Sequence, residues 1–518
     1  MISNFHHLLA RAAASRPDAP ALSYRDQTVD YGELWRTVSR VGAQFSGLVT
    51  RGARIAVYLE KRIETVAAFF ASSVAGAVFV PVNHVLKPNQ VAHILGDSGA
   101  QVLVTSADRL QQLSPILDET AIEHVVIVAG GGVGSDHRTV HEWDNTPGEE
   151  GVGRQSSSAI DVDPAAILYT SGSTGRPKGV VLSHRNLIVG AESVSSYLKN
   201  SSEDVILSVL PLSFDAGLSQ VTTAFAVGAH CVLMNYLLPK DVPKLCLRHR
   251  VTGLTCVPPL WQQLVEVAWP DEATATLRYW ANTGGRMPEN LLKRLRHTFG
   301  TADPYLMYGL TEAFRSTYLD PSEVDRRPDS IGKAIPNAEI LVLRPDGTEC
   351  EVGEHGELVH RGALVGLGYW NDPARTAERY RPVVRAGQDW RAPEWAVWSG
   401  DTVVADADGF LYFVGRQDDM IKTSGYRVSP TEIEEAAYST GLVRDAVALG
   451  IPDPQLGQRI LLVVAVGSPD FAEKSLIGAL RQRLPLYMVP SQLVVRVELP
   501  RSPNGKIDRT RIKREVLP

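Results

Sequence analysis

A chain of 518 residues is longer than one ordinary domain, and 44% hydrophobic with 21% charged residues is a globular composition. A net charge of −6, with no basic stripe or tail, argues against a nucleic-acid partner. Cys231, Cys246, Cys256 and Cys350 show neither CxxC nor metal-ligand spacing with histidine, so they are expected to be buried small hydrophobes in a reducing, cytoplasmic setting.

In chain order, residues 1–14 lack the basic region, apolar core and cleavage site of a signal peptide and read as an amphipathic helix. Tyr31-Gly32-Glu33-Leu34 opens a second helix, and residues 53–58, 102–105 and 124–128 read as strands. The most apolar stretch, 66–82, contains Ser72, Ser73, Gly76 and Pro81. Its first half has helical spacing and its second half, Val78-Phe79-Val80, strand character, so no membrane insertion is expected. Residues 130–158 are rich in glycine and serine and read as a loop. This alternation predicts an α/β architecture with a largely parallel sheet.

Residues 165–168 form a short apolar strand. It feeds Tyr169-Thr170-Ser171-Gly172-Ser173-Thr174-Gly175-Arg176-Pro177-Lys178-Gly179. Glycines let backbone N–H groups approach an anion, while the hydroxyls of Thr170, Ser171, Ser173 and Thr174 and the ammonium of Lys178 add donors and charge. The loop is not a Walker A loop, yet it suits a polyphosphate better than a plain surface turn. Further on, strands are expected at 204–210, 230–234, 277–281 and 304–308, with a helix at 216–227 ended by Gly228. Each strand delivers glycine or polar residues at its C-terminal end, where open α/β sheets bind ligands: Phe214-Asp215, Gly284-Gly285-Arg286 and Tyr308-Gly309-Leu310-Thr311-Glu312. Residues 330–415 change to short alternating strands with Asp346-Gly347 and Asp408-Gly409 turns, a pattern of antiparallel hairpins. Past Asp418, helix 429–440, strands 445–450 and 460–466 and helix 474–484 predict a compact α+β unit. The expected division is 1–417 and 418–518.

The run from Thr170 to Gly179 resembles the signature of the AMP-forming adenylating superfamily, which includes acyl-CoA synthetases, nonribosomal-peptide adenylation domains and luciferases. Five further motifs resemble the family's in order and spacing. In Tyr308-Gly309-Leu310-Thr311-Glu312, the resemblance implies stacking of Tyr308 on adenine, Thr311 at the α-phosphate and Glu312 on Mg²⁺. In Ser399-Gly400-Asp401 it gives Asp401 the ribose hydroxyls. In Gly415-Arg416 through Lys422 it places Arg416 near the ribose and makes Asp418 the pivot of a mobile C-terminal domain. In Ser424-Gly425-Tyr426-Arg427 it puts Gly425 along a thiol channel. In Pro503-Asn504-Gly505-Lys506-Ile507-Asp508 it makes Lys506 the catalytic lysine of adenylation. The implied cofactors are ATP and Mg²⁺, and the implied reaction joins a carboxylic acid to a thiol through an acyl-adenylate. Glu312, Asp401 and Lys506 are all present, which counts against a non-catalytic nucleotide sensor.

Ten residues follow Asp508, so no fused carrier domain is expected, and the thiol would come from coenzyme A or from phosphopantetheine on a free-standing carrier protein. Acyl- and aryl-CoA ligases of the family commonly have an aromatic-histidine pair where this chain has Phe214-Asp215. The aspartate resembles amino-acid-activating relatives, in which it holds the substrate ammonium; the plainer reading is an N-cap for the helix that follows. Ser219, one turn on, leaves room for substrate. Arg315 falls at a position that lines the acid pocket in those relatives. It either meets a second carboxylate, which would make the substrate an amino dicarboxylic acid, or pairs with a protein acid such as Glu312 or Asp320. The runs 308–317 and 329–337 also resemble AMP-forming ligases associated with exosortase A systems, so an acyl-CoA ligase acting on a non-amino acid stays open.

Overall fold

A computed structural model describes residues 2–128, 138–143, 159–170, 177–285, 287–383, 390, 392–416, 420–466, 471–500 and 507–516. The described residues form three sheets. The first has eight strands, in the order Gly368–Tyr369, Lys178–Ser183, Pro164–Thr170, Val78–Pro81, Arg54–Tyr58, Val102–Thr105, His124–Ile127 and Thr139–Glu142. It is parallel from Pro164–Thr170 onward and antiparallel on the other side. Parallel strands buried on both faces read as continuous apolar runs, and Val102–Thr105 and Val78–Pro81 are buried throughout.

The second sheet has fourteen strands. Its parallel half runs Pro20–Tyr24, His230–Leu233, Val205–Ser208, Gly253–Cys256, Tyr279–Asn282, Asp303–Tyr308. From Thr317–Leu319 onward it turns antiparallel, through Ser330–Ala334, Leu411–Arg416, Glu394–Ala405, His355–Gly362 and Ala338–Leu343. The expected Asp-Gly turns lie in this half, with positive φ at Gly347 and Gly409. The third sheet has five strands, all drawn from residues 421–496, and its apolar face packs on the helices Pro430–Tyr438 and Glu473–Arg483.

Stiff helix starts position the parts that matter. Asp30 caps the helix Tyr31–Ser46 by accepting from Glu33 N–H. The helix Asp215–Val227 begins one residue earlier than expected, with Phe214 at its N-cap and no side-chain cap, so Asp215 is not the N-cap. The turn before it lies on the helix itself: a Cβ on Gly217 would come within 1.9 Å of the Pro211 carbonyl oxygen. A buried ammonium anchors that turn from below. Lys61 donates to the carbonyls of Ser208 and Leu210 at 2.8 Å each, and burial pulls it down to about 7.

Two further departures have local causes. Thr139–Glu142 is a strand inside the stretch read as a loop; its residues are exposed or half-buried, so no apolar alternation marks it. Gly368–Tyr369, Ile421–Thr423 and Tyr426–Val428 are too short to show a period. Cys231, Cys246 and Cys256 are buried and unbridged, and burial pushes the Cys231 and Cys246 thiols up to about 12. Among the described residues no helix is long and apolar enough to cross a membrane.

Candidate active site

One cavity of about 470 Å³ lies where the three sheets meet. Tyr169 and Thr170 line it from the first sheet, Thr283, Tyr308, Thr311, Glu312 and Asp401 from the second, and Lys422, Gly425 and Tyr426 from the third.

Three side chains interlock at one side, with Glu312 lining the cavity and Lys178 and Tyr369 packed against it. The Tyr369 hydroxyl donates to Glu312 Oε1 at 2.6 Å and also lies 2.6 Å from Lys178 Nζ. Lys178 Nζ sits 3.4 Å from Glu312 Oε1 and 3.8 Å from the centre of the Tyr369 ring. Burial alone would raise the Glu312 carboxyl, but Lys178, the Tyr369 hydroxyl and Arg427 outweigh it and hold it at about 2. The result is an ionised carboxylate in a sheltered place, a hard oxygen ligand of the kind magnesium prefers. Beside it the antiparallel pair Thr170–Lys178 closes the hydroxyl loop at its base, and Thr170 Oγ1 is buried without a partner among the described residues.

On the opposite wall the Tyr308 hydroxyl donates to Asp401 Oδ2 at 2.5 Å, and Asp401 stands in register with Arg416 across the hairpin. Gly284, at φ 74°, and Gly285 continue this wall toward Val257.

Deeper in, the structure corrects the reading of the acid pocket. Arg315 does not stand as a separate cation. Its Nη1 donates to Asp215 Oδ2 at 3.3 Å and to Thr283 Oγ1 at 3.2 Å. Thr311 Oγ1 reaches the other Asp215 oxygen at 3.5 Å. Arg315 has therefore found a protein acid, but neither Glu312 nor Asp320. Burial raises the Asp215 carboxyl, and Arg315 offsets that only in part. Ser219 does not line the main cavity: it faces a void of about 10 Å³ behind Arg315. Phe214 does line the cavity, and its ring meets Tyr426 edge to face at 5.5 Å.

The third sheet's domain closes the mouth. Gly425, at φ 80°, packs so tightly on Val257 that a Cβ there would come within 2.7 Å of Val257 Cγ2. Tyr426 stacks on Tyr487 at 3.7 Å, and Gln90 Nε2 donates to Glu432 Oε1 at 2.7 Å across the two domains. Among the described residues of 507–516 none lines the cavity; Ile507 packs with Leu499 and Ile512 instead. Ser171, Gly172, Ser173, Thr174, Gly175, Arg286, Asp418 and Lys506 lie outside the described residues, as does the Arg416 side chain. Tyr369 and the Thr283–Arg315 contact were missed from sequence. The aromatic pair Tyr369-Trp370 between a glycine and Asn371-Asp372 was the one available signal for the former.

Residues 9–370 match the model of the AMP-binding enzyme family, and residues 432–506 that of the AMP-binding enzyme C-terminal domain. The chain belongs to the AMP-binding enzyme family. It is an AMP-forming acid–thiol ligase, a class that adenylates a carboxylic acid with ATP. This AMP-binding enzyme is 29% identical to the long-chain-fatty-acid–CoA ligase of Salmonella typhimurium, over 98% of its own length and 94% of that protein's. It is 30% identical to part of the delta-poly-L-ornithine synthetase of Acinetobacter baumannii, over 98% of its own length and 36% of that protein's. Among solved structures it is similar to a variant of o-succinylbenzoate CoA synthetase from Bacillus subtilis, with a TM-score of 0.81, 26% identity, and 98% and 97% of the two chains covered. The fold expectation, a large α/β N-terminal part and a smaller C-terminal one, agrees with these likenesses.

Proposed function

We propose that this AMP-binding enzyme adenylates a small amino acid bearing a second acidic group and passes the acyl group to a phosphopantetheine thiol on a separate carrier protein. The Asp215–Arg315 pair carries this reading. A substrate ammonium drawn to Asp215 competes with Arg315 for that carboxylate and leaves the buried guanidinium short of its counter-charge. A second substrate carboxylate on Arg315 restores alternation of charge, which low dielectric favours. The domains divide at 417/418, and the second acts as a mobile lid.

In this reading the adenine of ATP stacks on Tyr308 and its ribose hydroxyls meet Asp401, with the phosphates toward Thr170, the hydroxyl loop (Ser171 to Gly175) and Lys178. Arg286 and Arg416 flank it. Glu312 would hold Mg²⁺, which supplies charge neutralisation on the phosphates. The acid carboxylate attacks the α-phosphorus and pyrophosphate leaves. Thr311 and Lys506 stabilise the charge that develops there, so alignment and electrostatics carry the rate. The thiol then attacks the acyl carbon and AMP leaves. The close fit of Gly425 on Val257 supports a channel wall for that second step, the lid pivoting at Asp418 between steps.

ATP–pyrophosphate exchange across carboxylic acids tests the acid. Aspartate, glutamate and their homologues should exceed neutral amino acids, and a clear preference for an apolar acid would overturn the reading. Offering coenzyme A and carrier proteins to the loaded enzyme tests the acceptor. The second reading, an acyl-CoA ligase using a non-amino acid, is favoured by one observation: the Salmonella relative, matched along nearly its whole length, is named a CoA ligase.

Two outcomes follow for the lid. Gly425→Ala should slow thiol transfer while leaving pyrophosphate exchange near wild type, because the added Cβ strikes Val257 and a positive φ strains any side chain. Measuring the two half-reactions separately checks this. Docking should also depend on pH. Burial raises Glu432 from 4.5 to about 7, with Gln90 working against the rise and Glu435 adding to it. A carboxyl raised on docking docks best protonated, so closure is strongest below about 4.5 and weakens as pH rises through about 7. Energy transfer between dyes on the two domains should follow that window, and Glu432→Gln should flatten it.

A further inference from the structure

We infer that Arg315 plugs a second chamber behind the acid site and so confines the enzyme to short acids; this deepens the reading of the acid site proposed above. Arg315 lines both the main cavity and the void behind it. That void measures about 10 Å³, at the lower limit of what one water needs. Its walls combine the apolar side chains of Val194, Leu198, Ile206, Tyr279 and Met307 with the polar Ser219, Gln220, Thr223 and Thr255. The apolar ones come from the helix His184–Tyr197 and its C-cap, and from the strands Val205–Ser208, Tyr279–Asn282 and Asp303–Tyr308. The Arg315 side chain stands between this void and the cavity, and its removal would join the two and make room for an alkyl chain beside the apolar walls.

The plug is fastened on two sides. Asp215, at the start of its helix, and Thr283, just past the strand Tyr279–Asn282, both accept from Nη1. The Arg315 side chain is 3% exposed. Its Nε is buried with no partner among the described residues. An unmet buried N–H is costly, so the site favours an acid that ends in a hydrogen-bond acceptor over one that ends in a methyl group.

The test is exchange activity along the linear acids from acetate to decanoate, with aspartate and glutamate alongside. Wild type, Arg315→Ala, Arg315→Met and the double variant Asp215→Ser/Arg315→Ala would be compared. The double variant leaves no unpaired buried charge and serves if the single one misfolds. Wild-type kcat/KM should fall steeply with chain length. The alanine-bearing variants should instead gain about fourfold per methylene buried until the chamber is full. Arg315→Met, which keeps bulk without charge, should lose the acids that end in an acceptor and gain none of the long ones. Thermal shift with octanoate and no ATP reads the chamber without the reaction: stabilisation of the alanine-bearing variants alone is expected. Chain-length profiles and shifts identical to wild type in folded alanine variants would overturn the plug. Exchange absent with every one of these acids in wild type would instead overturn the substrate reading proposed above, and the thermal shift would still decide the plug.

Discussion

Glu312→Gln should lower pyrophosphate exchange by about 100- to 1,000-fold, the usual cost of removing one preorganised electrostatic contact at a reacting phosphate or acyl centre. The structure gives the reason for expecting the upper end. Glu312 is not an isolated carboxylate. Lys178 and the Tyr369 hydroxyl both converge on its Oε1, at 3.4 and 2.6 Å. Glutamine keeps the shape and can still accept from Tyr369, but it removes the carboxylate that would bind Mg²⁺. It also removes the counter-charge of Lys178. Burial already pulls the Lys178 ammonium down, and Glu312 is the main influence holding it up. The variant thus loses an anion and weakens a cation together. Breaking a buried pair from one side costs about 3–5 kcal/mol, so the apparent melting temperature should drop as well. Raising Mg²⁺ should not restore the rate. Full activity at high Mg²⁺ would show that Glu312 is not a ligand.

Lys506→Ala should separate the two half-reactions. Exchange should fall by about 100- to 1,000-fold, while transfer from a supplied acyl-adenylate to the thiol stays near wild type. The contact pattern is consistent with this separation. The Gly425 face of the C-terminal domain lines the cavity, whereas Ile507, the neighbour of Lys506, is packed among Leu499 and Ile512 within that domain. One rigid domain presenting Gly425 cannot hold the Ile507 region in the same place, so the two functions need two placements of the domain. Single-turnover assays of each half-reaction decide it. Equal loss in both would sink the assignment of Lys506.

Much of this was legible in the chain. The alternation of apolar runs marked the parallel strands, because strands buried on both faces leave continuous hydrophobic segments. The glycine-rich loop and Tyr308 to Glu312 stood out because phosphate and purine need particular residue types at fixed spacing. The pairing of Asp215 with Arg315 was not legible. The two residues lie on different elements, a helix start and the turn between the 3-10 helix Thr311–Ala313 and the strand Thr317–Leu319, and only the crossing of those elements sets them 3.3 Å apart. Ser219 was misplaced for a related reason: one helical turn from Asp215 is the right face, but Arg315 stands in front of it. Tyr369 escaped because its role depends on a two-residue strand with no periodicity.

Phe314 has a consequence for redirecting this enzyme toward other acids. It takes φ 56°, an outlier for a bulky residue, and is fully buried; a Cβ on Gly190 would come within 2.5 Å of its ring. This kinked turn is what allows Glu312 and Arg315, three positions apart, to face one cavity. The Glu312 carboxylate and the Arg315 guanidinium therefore share a single mechanical mount, braced from the helix that carries Gly190. Substitutions at Gly190 or Phe314 should therefore disturb both side chains together, whereas a library confined to the Arg315 side chain leaves the turn in place.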